Sequence, residues 1–194
     1  MLYLASKSPR RADLLIQMGI KFKVVEVNTA EAIDLSISPR DNAEKISVVK
    51  CKHGAEQIIK DALDAVIISA DTIVVLGNKI FGKPESKEHA LSMLMELSGE
   101  VHSVFTGVSI GVWDKKSLDI HTISVETLVE FASISAQEYR KYIETDEPFD
   151  KAGAYGIQGK AQSFVKGIKG SYSNVVGLPI YETLSLLNRL GINY

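Results

Sequence analysis

The segment from Ala65 to Ala70 (AVIISA) is a short, almost wholly apolar run rich in β-branched residues. A run of this length and composition is typical of a strand buried on both faces of a sheet. The segment before it is a predicted helix that starts at Ser38-Pro39 and continues to about Lys60. A long helix followed directly by a buried strand favours a fold of the α/β type.

The rest of the chain alternates between strand and helix patterns. This alternation predicts an α/β fold with βαβ units in the amino-terminal part and antiparallel strands in the middle. A cleft between two such lobes is the natural place for a ligand. The predicted strands are Leu2 to Ala5, Lys21 to Val27, Val101 to Trp113 and Leu118 to Phe131, and a predicted hairpin covers Ile73 to Phe81. Predicted helices start at Ser8-Pro9, Ser86, Ser135 and Pro179. The segment from Gly153 to Gly170 is a predicted loop.

The charge balance and the cysteine content narrow the class of protein. The 194-residue chain has a formal net charge of -2, whereas general nucleic-acid binders are more often basic. An anionic ligand must therefore meet a local cluster of cations. The single cysteine, Cys51, cannot form an internal disulfide, which favours the cytoplasm, and we expect it to be buried. No apolar stretch approaches the about 20 residues of a membrane-spanning helix, so we expect no membrane insertion.

The first motif that could carry chemistry is SKSPRR, from Ser6 to Arg11. It places two serines and two arginines at a predicted helix start, where unpaired N–H groups and the helix dipole favour a phosphate. Arginine adds a planar fork that matches phosphate oxygens. The pattern also fits an ordinary helix capped by Ser8 with two solvated arginines, and local spacing leaves both interpretations open.

Two further segments hold single charged residues in restricted surroundings. Asp71 directly follows the predicted buried strand, and a carboxylate there can hold a divalent cation or orient water. Lys83 lies between glycine and proline in the segment GKP, from where its charge could contact a phosphate. An aspartate in a turn and a lysine on the surface are the alternatives. The sequence has no P-loop pattern.

The segment DKAGAYGIQG, from Asp150 to Gly159, combines glycines, an aromatic ring and one uncharged amide, Gln158. Such a loop can approach a ligand closely while the amide hydrogen-bonds to a base edge, although a plain connection has the same composition.

Other charged residues carry a weaker signal. Lys50 lies in mid-helix, where a solvated lysine is the default. Either Glu26 or Glu31 could supply a second carboxylate. The histidines lack metal-ligand spacing and are interpreted as structural or surface residues: His53, His89, His102 and His121.

Taken together, these segments resemble the Maf family of nucleotide pyrophosphatases. They occur in the family's order and cover nearly the whole chain. Each segment is weak by itself, and the set is highly specific. The matching segments are LASKSPRR (Leu4 to Arg11), SADTIV (Ser69 to Val74), GKP (Gly82 to Pro84), LSGEVHSVFTGV (Leu97 to Val108), DKAGAYGIQG (Asp150 to Gly159) and GSYSNVVGLP (Gly170 to Pro179).

The resemblance implies a fold with a deep cleft, similar to that of inosine triphosphate pyrophosphatases. It implies hydrolysis of a nucleoside triphosphate between the α- and β-phosphates with a divalent cation, Mg²⁺ or Mn²⁺. Asp71 is the implied catalytic residue and a metal ligand, and Glu31 is the second implied metal ligand. The implied phosphate-binding groups are Ser6, Arg10, Arg11, Lys50 and Lys83.

The resemblance also implies a base preference. Members that prefer dTTP and UTP carry arginine after the S-P pair, threonine after the aspartate and glutamine in the I-Q-G motif. This chain has Arg10, Thr72 and Gln158 at those positions. Members that prefer 7-methyl-GTP carry a bulky aromatic residue, a glutamine and a glutamate there. Because a neutral amide suits the mixed donors and acceptors of uracil or thymine, we expect a pyrimidine triphosphate as substrate.

Three other functions fit parts of the pattern. A 7-methyl-GTP pyrophosphatase would use the same chemistry on a different base. Regulation of septum formation is an older role attached to the family. A nucleotide-binding domain without turnover is the plainest alternative. The intact set of Arg10, Asp71 and Lys83 favours catalysis. We expect one domain over residues 1–194 and no nucleic-acid partner, and a homodimer is a common assembly for such enzymes.

Overall fold

The computed structural model describes residues 1–58, 60 and 64–194. The chain divides into two compact units. The first unit contains Met1–Asp71, Thr106–Val125 and Gly177–Tyr194, and the second contains Thr72–Phe105 and Glu126–Val176.

Seven strands within the described residues form one mixed sheet. They are β1 (Leu2–Ala5), β2 (Lys23–Val25), β3 (Ala65–Leu76), β4 (Lys79–Phe81), β5 (Val101–Trp113), β6 (Leu118–Phe131) and β7 (Val165–Lys169). The strand order is β2-β1-β3-β5-β6-β7, and β4 pairs with β3 beside this path. β1 is parallel to β2 and to β3, whereas β4 is antiparallel to β3 and β7 to β6. The predicted α/β class with a mixed sheet is confirmed.

The first unit packs helix α2 (Pro39–Ile58) onto the parallel strands, and it also contains α1 (Pro9–Gln17) and α6 (Ile180–Arg189). Small and branched side chains form the core beneath α2, which lets the helix lie close to the sheet: Ala5, Val27, Cys51, Ala55, Ile58, Ala65 and Ile67. Cys51 is fully buried, as predicted, and burial raises the pKa of its thiol to about 11.

The second unit has a larger core in which helices α3 (Lys87–Leu97) and α4 (Ala136–Ile143) pack together. Edge-to-face aromatic contacts fix this core, since such pairs have defined geometry. The rings of Phe131, Tyr139 and Tyr142 all contact Phe164 in this way. Shorter helical segments complete the unit: the 3₁₀ turns Glu147–Asp150, Ala152–Ala154 and Lys160–Phe164, and helix α5 (Tyr172–Val176).

The predicted helix starts at Ser38, Ser86 and Ser135 are confirmed by capping hydrogen bonds. The Oγ of Ser38 accepts a hydrogen bond from the N–H of Asp41 at the start of α2. Ser135 and Glu138 form the predicted capping box at the start of α4. The predicted end of α2 is near Lys60; the described helix ends at Ile58, and residue 59 lies outside the described residues.

The start of α1 differs from the prediction. Ser8 is the N-cap residue, but its side chain makes no capping hydrogen bond. Its own N–H donates instead to the Oγ of Ser6 at 3.1 Å. The first turn of α1 therefore begins at Pro9 without a hydroxyl cap from Ser8.

The predicted hairpin of Ile73 to Phe81 is confirmed by the antiparallel pairing of β3 with β4, whereas other strand predictions differ from the structure. β3 does not end before Asp71 but continues to Leu76, because a buried lysine neutralises the aspartate inside the strand. β2 is shorter than predicted at both ends. β7 and α5 were not predicted at all. β7 has no fully buried side chain, so it carries no apolar alternation to read.

Candidate active site

A lysine bound by two carboxylates lies in the first unit. The Nζ of Lys50 is 2.6 Å from Oδ1 of Asp71 and 2.6 Å from Oε1 of Glu31. Lys50 and Asp71 are each only 6% exposed, whereas Glu31 comes from an exposed loop. The default expectation of a solvated Lys50 is therefore wrong, and the residue joins α2 to β3 as a buried ion pair.

Burial gives Asp71 an unusual proton affinity. Removal from water raises the pKa of its carboxyl group, while the positive charges of Lys50 and Arg11 oppose that shift. The nearby Glu31 adds to it. A carboxylate with raised pKa in a charged cluster is the kind of group that can accept a proton from water during catalysis.

Arg11 is the second buried cation of this cluster. Its Nε donates to the carbonyl oxygen of Gly177 at 2.7 Å, and its Nη1 donates to Oγ of Ser6 at 3.3 Å. Burial lowers the pKa of the guanidinium, and the charges of Asp71 and Glu31 oppose this effect. Two hydrogen bonds therefore fix the planar group beside the two carboxylates, in an orientation that a lysine could not copy.

The predicted site residues of the amino-terminal half thus come together. The first unit gathers Ser6, Arg11, Glu31, Lys50 and Asp71 through the contacts described above. Arg10 lies beside this group on α1, half-buried, and its charge acts on Arg11. Glu26, the alternative second carboxylate, makes a different contact, since its backbone carbonyl accepts from Nε2 of Gln57.

Thr72, Lys83 and Gln158 belong to the second unit. Thr72 follows Asp71 in β3 and is half-buried, whereas Lys83 and Gln158 are exposed. The segments that carry the latter two meet, because the N–H of Gly153 donates to the carbonyl oxygen of Gly82 at 3.0 Å.

Glu147 stabilises the segment around Gln158, although it is not among the site residues predicted from the sequence. Its carboxylate accepts hydrogen bonds from the N–H of Lys160 at 2.9 Å and from the hydroxyl of Tyr142 at 3.1 Å. Gly159 is packed so closely that an added Cβ would lie 2.2 Å from Oε1 of Glu147. A methyl group at position 159 would therefore displace the Glu147 carboxylate from these hydrogen bonds.

A buried pair also anchors this segment to β5. The Nε2 of His102 lies 2.8 Å from the hydroxyl oxygen of Tyr155, and both residues are at most 5% exposed. Burial lowers the pKa of His102 to about 4, so the imidazole is neutral at neutral pH. The interpretation of His102 as a structural residue agrees with this position.

Glu31 and Asp71 are a suitable pair of ligands for a divalent cation. Both are hard carboxylate oxygens of the kind that Mg²⁺ prefers, and both already converge on one positive charge, the Nζ of Lys50. Within the described part of the chain, no group of three or more histidine, cysteine, aspartate or glutamate side chains could hold a metal ion. Phosphate oxygens and water would therefore have to complete the coordination.

A cavity of about 650 Å³ adjoins the loop that carries Glu31. Its lining is largely apolar, and its charged groups, Asp34 and Lys45, already form an ion pair at 3.0 Å. A triphosphate needs several cations, so the cluster around Arg11 and Lys50 suits it better than this cavity.

Comparison with known proteins identifies the family of the chain. A family model described as Maf-like protein matches residues 1–190. The chain belongs to the Maf family. Among curated relatives of this Maf protein, the dTTP/UTP pyrophosphatase of Caldicellulosiruptor saccharolyticus is 43% identical over 188 residues, covering 97% of this chain and 94% of the relative. The dTTP/UTP pyrophosphatase of Pelotomaculum thermopropionicum is 40% identical over 190 residues, covering 98% and 96%.

Solved structures also match this chain, and one of them aligns over most of both chains. It is the nucleoside-triphosphatase / dITP/XTP pyrophosphatase of Mycobacterium abscessus, with a TM-score of 0.41 and 12% identity over 97% of this chain and 93% of that chain. A likeness at this level supports no conclusion about substrate. Among the helices of the described residues, none has the length and apolarity required to cross a membrane.

Proposed function

We propose that this Maf protein hydrolyses nucleoside triphosphates between the α- and β-phosphates, releasing a monophosphate and pyrophosphate, with dTTP and UTP as preferred substrates. The observation that carries the proposal is the cluster in which the buried Lys50, Asp71 and Arg11 meet the carboxylate of the exposed Glu31. Full-length relatives named dTTP/UTP pyrophosphatase support the substrate class.

The reaction needs positioning and charge stabilisation more than covalent chemistry. Arg11, fixed by Ser6 and the Gly177 carbonyl, would bind phosphate oxygens, and Lys50 would add a second positive charge. A water molecule would attack the α-phosphorus, and the bond to the bridging oxygen would break, so that its electron pair leaves with pyrophosphate. Asp71 is suited to take the water proton, because burial raises the pKa of its carboxyl group and so makes its carboxylate a stronger base.

A divalent cation, Mg²⁺ or Mn²⁺, is part of the proposal. Glu31 and Asp71 would hold it together with phosphate oxygens. When bound, such an ion offsets phosphate charge and orients the phosphates. Asp71 can serve as a general base or as a metal ligand, and the variant Asp71→Glu tests which role it has. A longer carboxylate should still bind a metal ion but should no longer align a water molecule.

The base preference is proposed from three positions. Gln158 would hydrogen-bond to the pyrimidine edge, and Arg10 and Thr72 would complete the pattern of the dTTP- and UTP-preferring members. The exposed amide of Gln158 and the half-buried Arg10 suit contacts with a ligand. A Gln158→Glu variant should lose activity on UTP, because a carboxylate is repelled by the carbonyl oxygens of uracil.

The decisive assay is pyrophosphate release from dTTP, UTP, CTP, 7-methyl-GTP and ITP with Mg²⁺ or Mn²⁺. Preference for dTTP and UTP, with nearly complete loss in Asp71→Asn, is the expected result. Turnover of 7-methyl-GTP instead would keep the chemistry and overturn the base preference. No release from any nucleotide would leave nucleotide binding or a regulatory role as the better account.

The cellular setting is also a proposal. A single buried thiol in Cys51 is compatible with the cytoplasm, where free nucleotides are the available substrates. A homodimer is the expected assembly, and light scattering of the purified protein tests it.

A further inference from the structure

Three buried hydroxyl groups lie beside Lys50 and Asp71 without belonging to the proposed chemistry. The Oγ of Ser69 donates to the carbonyl oxygen of Ser47 at 2.7 Å. The Oγ atoms of Ser47 and Ser109 are 2.7 Å apart, and the latter lies 2.9 Å from Oγ1 of Thr122. Ser47, Ser69 and Ser109 are completely buried. This chain of hydrogen bonds joins α2 to β3, β5 and β6.

The serine contact runs alongside the ion pair. Ser69 precedes Asp71 by two residues in β3, so both side chains point to the same face of the strand. Ser47 precedes Lys50 by three residues in α2, so both lie on the same side of the helix. The hydrogen bond from Ser69 to Ser47 and the ion pair from Asp71 to Lys50 are therefore two successive links between the same helix and strand.

Glycines in β5 set the distance at which α2 lies on the sheet. An added Cβ at Gly107 would lie 2.4 Å from the backbone of Ala43, and one at Gly111 would lie 2.7 Å from Sγ of Cys51. The contact at Gly107 is with backbone, which cannot move aside as a flexible side chain can. The helix is therefore in close contact with β5 at two points, Ala43 and Cys51, which are eight residues apart in α2. Contact alone does not stop α2 from sliding along the sheet, whereas a directional hydrogen bond does.

We propose that Ser69 is a positioning residue for the reaction. Its hydrogen bond to the Ser47 carbonyl fixes the register of α2 on β3, and thereby holds the Lys50 ammonium group against the Asp71 carboxylate. Ser69 does not touch substrate and acts through Lys50. The inference rests on the proposed function only for its effect on turnover, since the register of α2 is a property of the folded chain.

The test compares Ser69→Ala with Thr183→Val, which also removes one completely buried hydroxyl. The Oγ1 of Thr183 donates to the carbonyl oxygen of Pro179 at 2.7 Å, within α6 and apart from Lys50 and Asp71. Both variants should lower the melting temperature by a few degrees, about 2–4 °C. Only Ser69→Ala should lower kcat for UTP, about tenfold or more, with KM within about twofold, because small displacements of reacting groups are costly.

Equal kcat in Ser69→Ala and wild type at a temperature where both are folded would overturn the proposal, as would equal losses of kcat in the two variants. A crystal structure of Ser69→Ala supplies a measurement that does not depend on turnover. A Lys50 Nζ to Asp71 Oδ1 distance unchanged at 2.6 Å contradicts the proposal, and a longer distance supports it. If the wild-type protein releases no pyrophosphate, the proposed function fails while this distance still decides the role of Ser69.

Discussion

The Nζ of Lys50 lies 2.6 Å from Oδ1 of Asp71, and the two side chains are only 7% and 9% exposed. Each charge would be costly to bury alone, and each compensates the other. Because Glu31 also binds Lys50 and Arg11 lies beside the group, two cations face two carboxylates. The cluster is therefore neutral in formal charge, so in the proposed reaction Arg11 and Lys50 would need further positive charge, such as that of Arg10 or a metal ion, to offset a triphosphate.

Lys50→Met should destabilise the protein and nearly abolish turnover. The variant leaves Asp71 buried without its ion-pair partner, which costs about 3 kcal/mol or more in the free energy of unfolding. We expect kcat for UTP to fall at least about a hundredfold, as for loss of a preorganised charge in an active site. Urea unfolding and pyrophosphate release measure the two effects.

Lys45→Met is the matched control on the same helix. Lys45 pairs with Asp34 at 3.0 Å, but its side chain is 55% exposed, so solvent screens the pair. This variant should keep the stability and the kcat of the wild type. Equal effects of the two substitutions would show that the burial of Lys50 has no special role.

His102 should make the protein less stable in mild acid. Its pKa in the folded chain is about 4, below the ordinary 6.5 of an unfolded chain, so the unfolded state binds more protons between these values. The free energy of unfolding should therefore fall as the pH falls from 6.5 towards 4, by about 2 kcal/mol between pH 7 and pH 5 from this residue alone.

Urea unfolding at pH 7 and pH 5 measures the difference in the free energy of unfolding between the two pH values. Other titrating groups also contribute to this difference. His102→Gln should reduce the difference between the two pH values, whereas His53→Gln, at an exposed position of α2, should keep it. An unchanged difference in His102→Gln would contradict the assignment.

Gly107→Ala should be far more harmful than Gly167→Ala, although both glycines lie in strands. An added methyl at Gly107 meets the backbone of Ala43 at 2.4 Å, whereas nothing lies within 4 Å of one at Gly167. Overpacking of this kind costs about 1–3 kcal/mol. Thermal unfolding of both variants measures the contrast, and similar melting temperatures would show that α2 can move away from β5 at little cost.

Gly159→Ala should weaken substrate binding more than catalysis. The new methyl group would displace the Glu147 carboxylate from the N–H of Lys160 and from Tyr142, and this shift would disturb Gln158. We expect a several-fold higher KM for UTP with a smaller change in kcat. Steady-state kinetics test this directly.

Glu147→Ala in the same chain removes the group that the methyl meets. The double variant should therefore be more stable than the sum of the two single changes predicts. Strict additivity of the two effects would mean that the carboxylate moves aside without loss.

Sequence patterns located the segments of the site but not the state of their side chains. The SKSPRR and SADTIV segments identified Arg11 and Asp71, and the structure places both in one buried cluster. The burial of Lys50 could not be read from α2, because polar residues such as Asn42 and Ser47 interrupt the apolar pattern on the buried face of this helix.

Long-range contacts explain the other differences. β3 continues through Asp71 because Lys50, 21 residues away, neutralises the carboxylate, and no local pattern reports such a partner. The role of Glu147 depends in the same way on Gly159 and Lys160, which are distant in sequence and adjacent in the fold. The predicted bounds of β1, β5 and β6 match the structure, and the patterns of β5 and β6 are long and flank a short turn.

Cys51 gives this Maf protein an internal probe of its own fluctuations. The thiol follows Lys50 directly in α2, is fully buried, and has a pKa of about 11, so a thiol-specific reagent can reach it only when the helix lifts from the sheet. As the single cysteine of the chain, it would report one opening event without any mutation. The rates of modification with and without nucleotide would then be compared. Their ratio would give the free energy by which bound substrate opposes the lifting of α2 from the sheet.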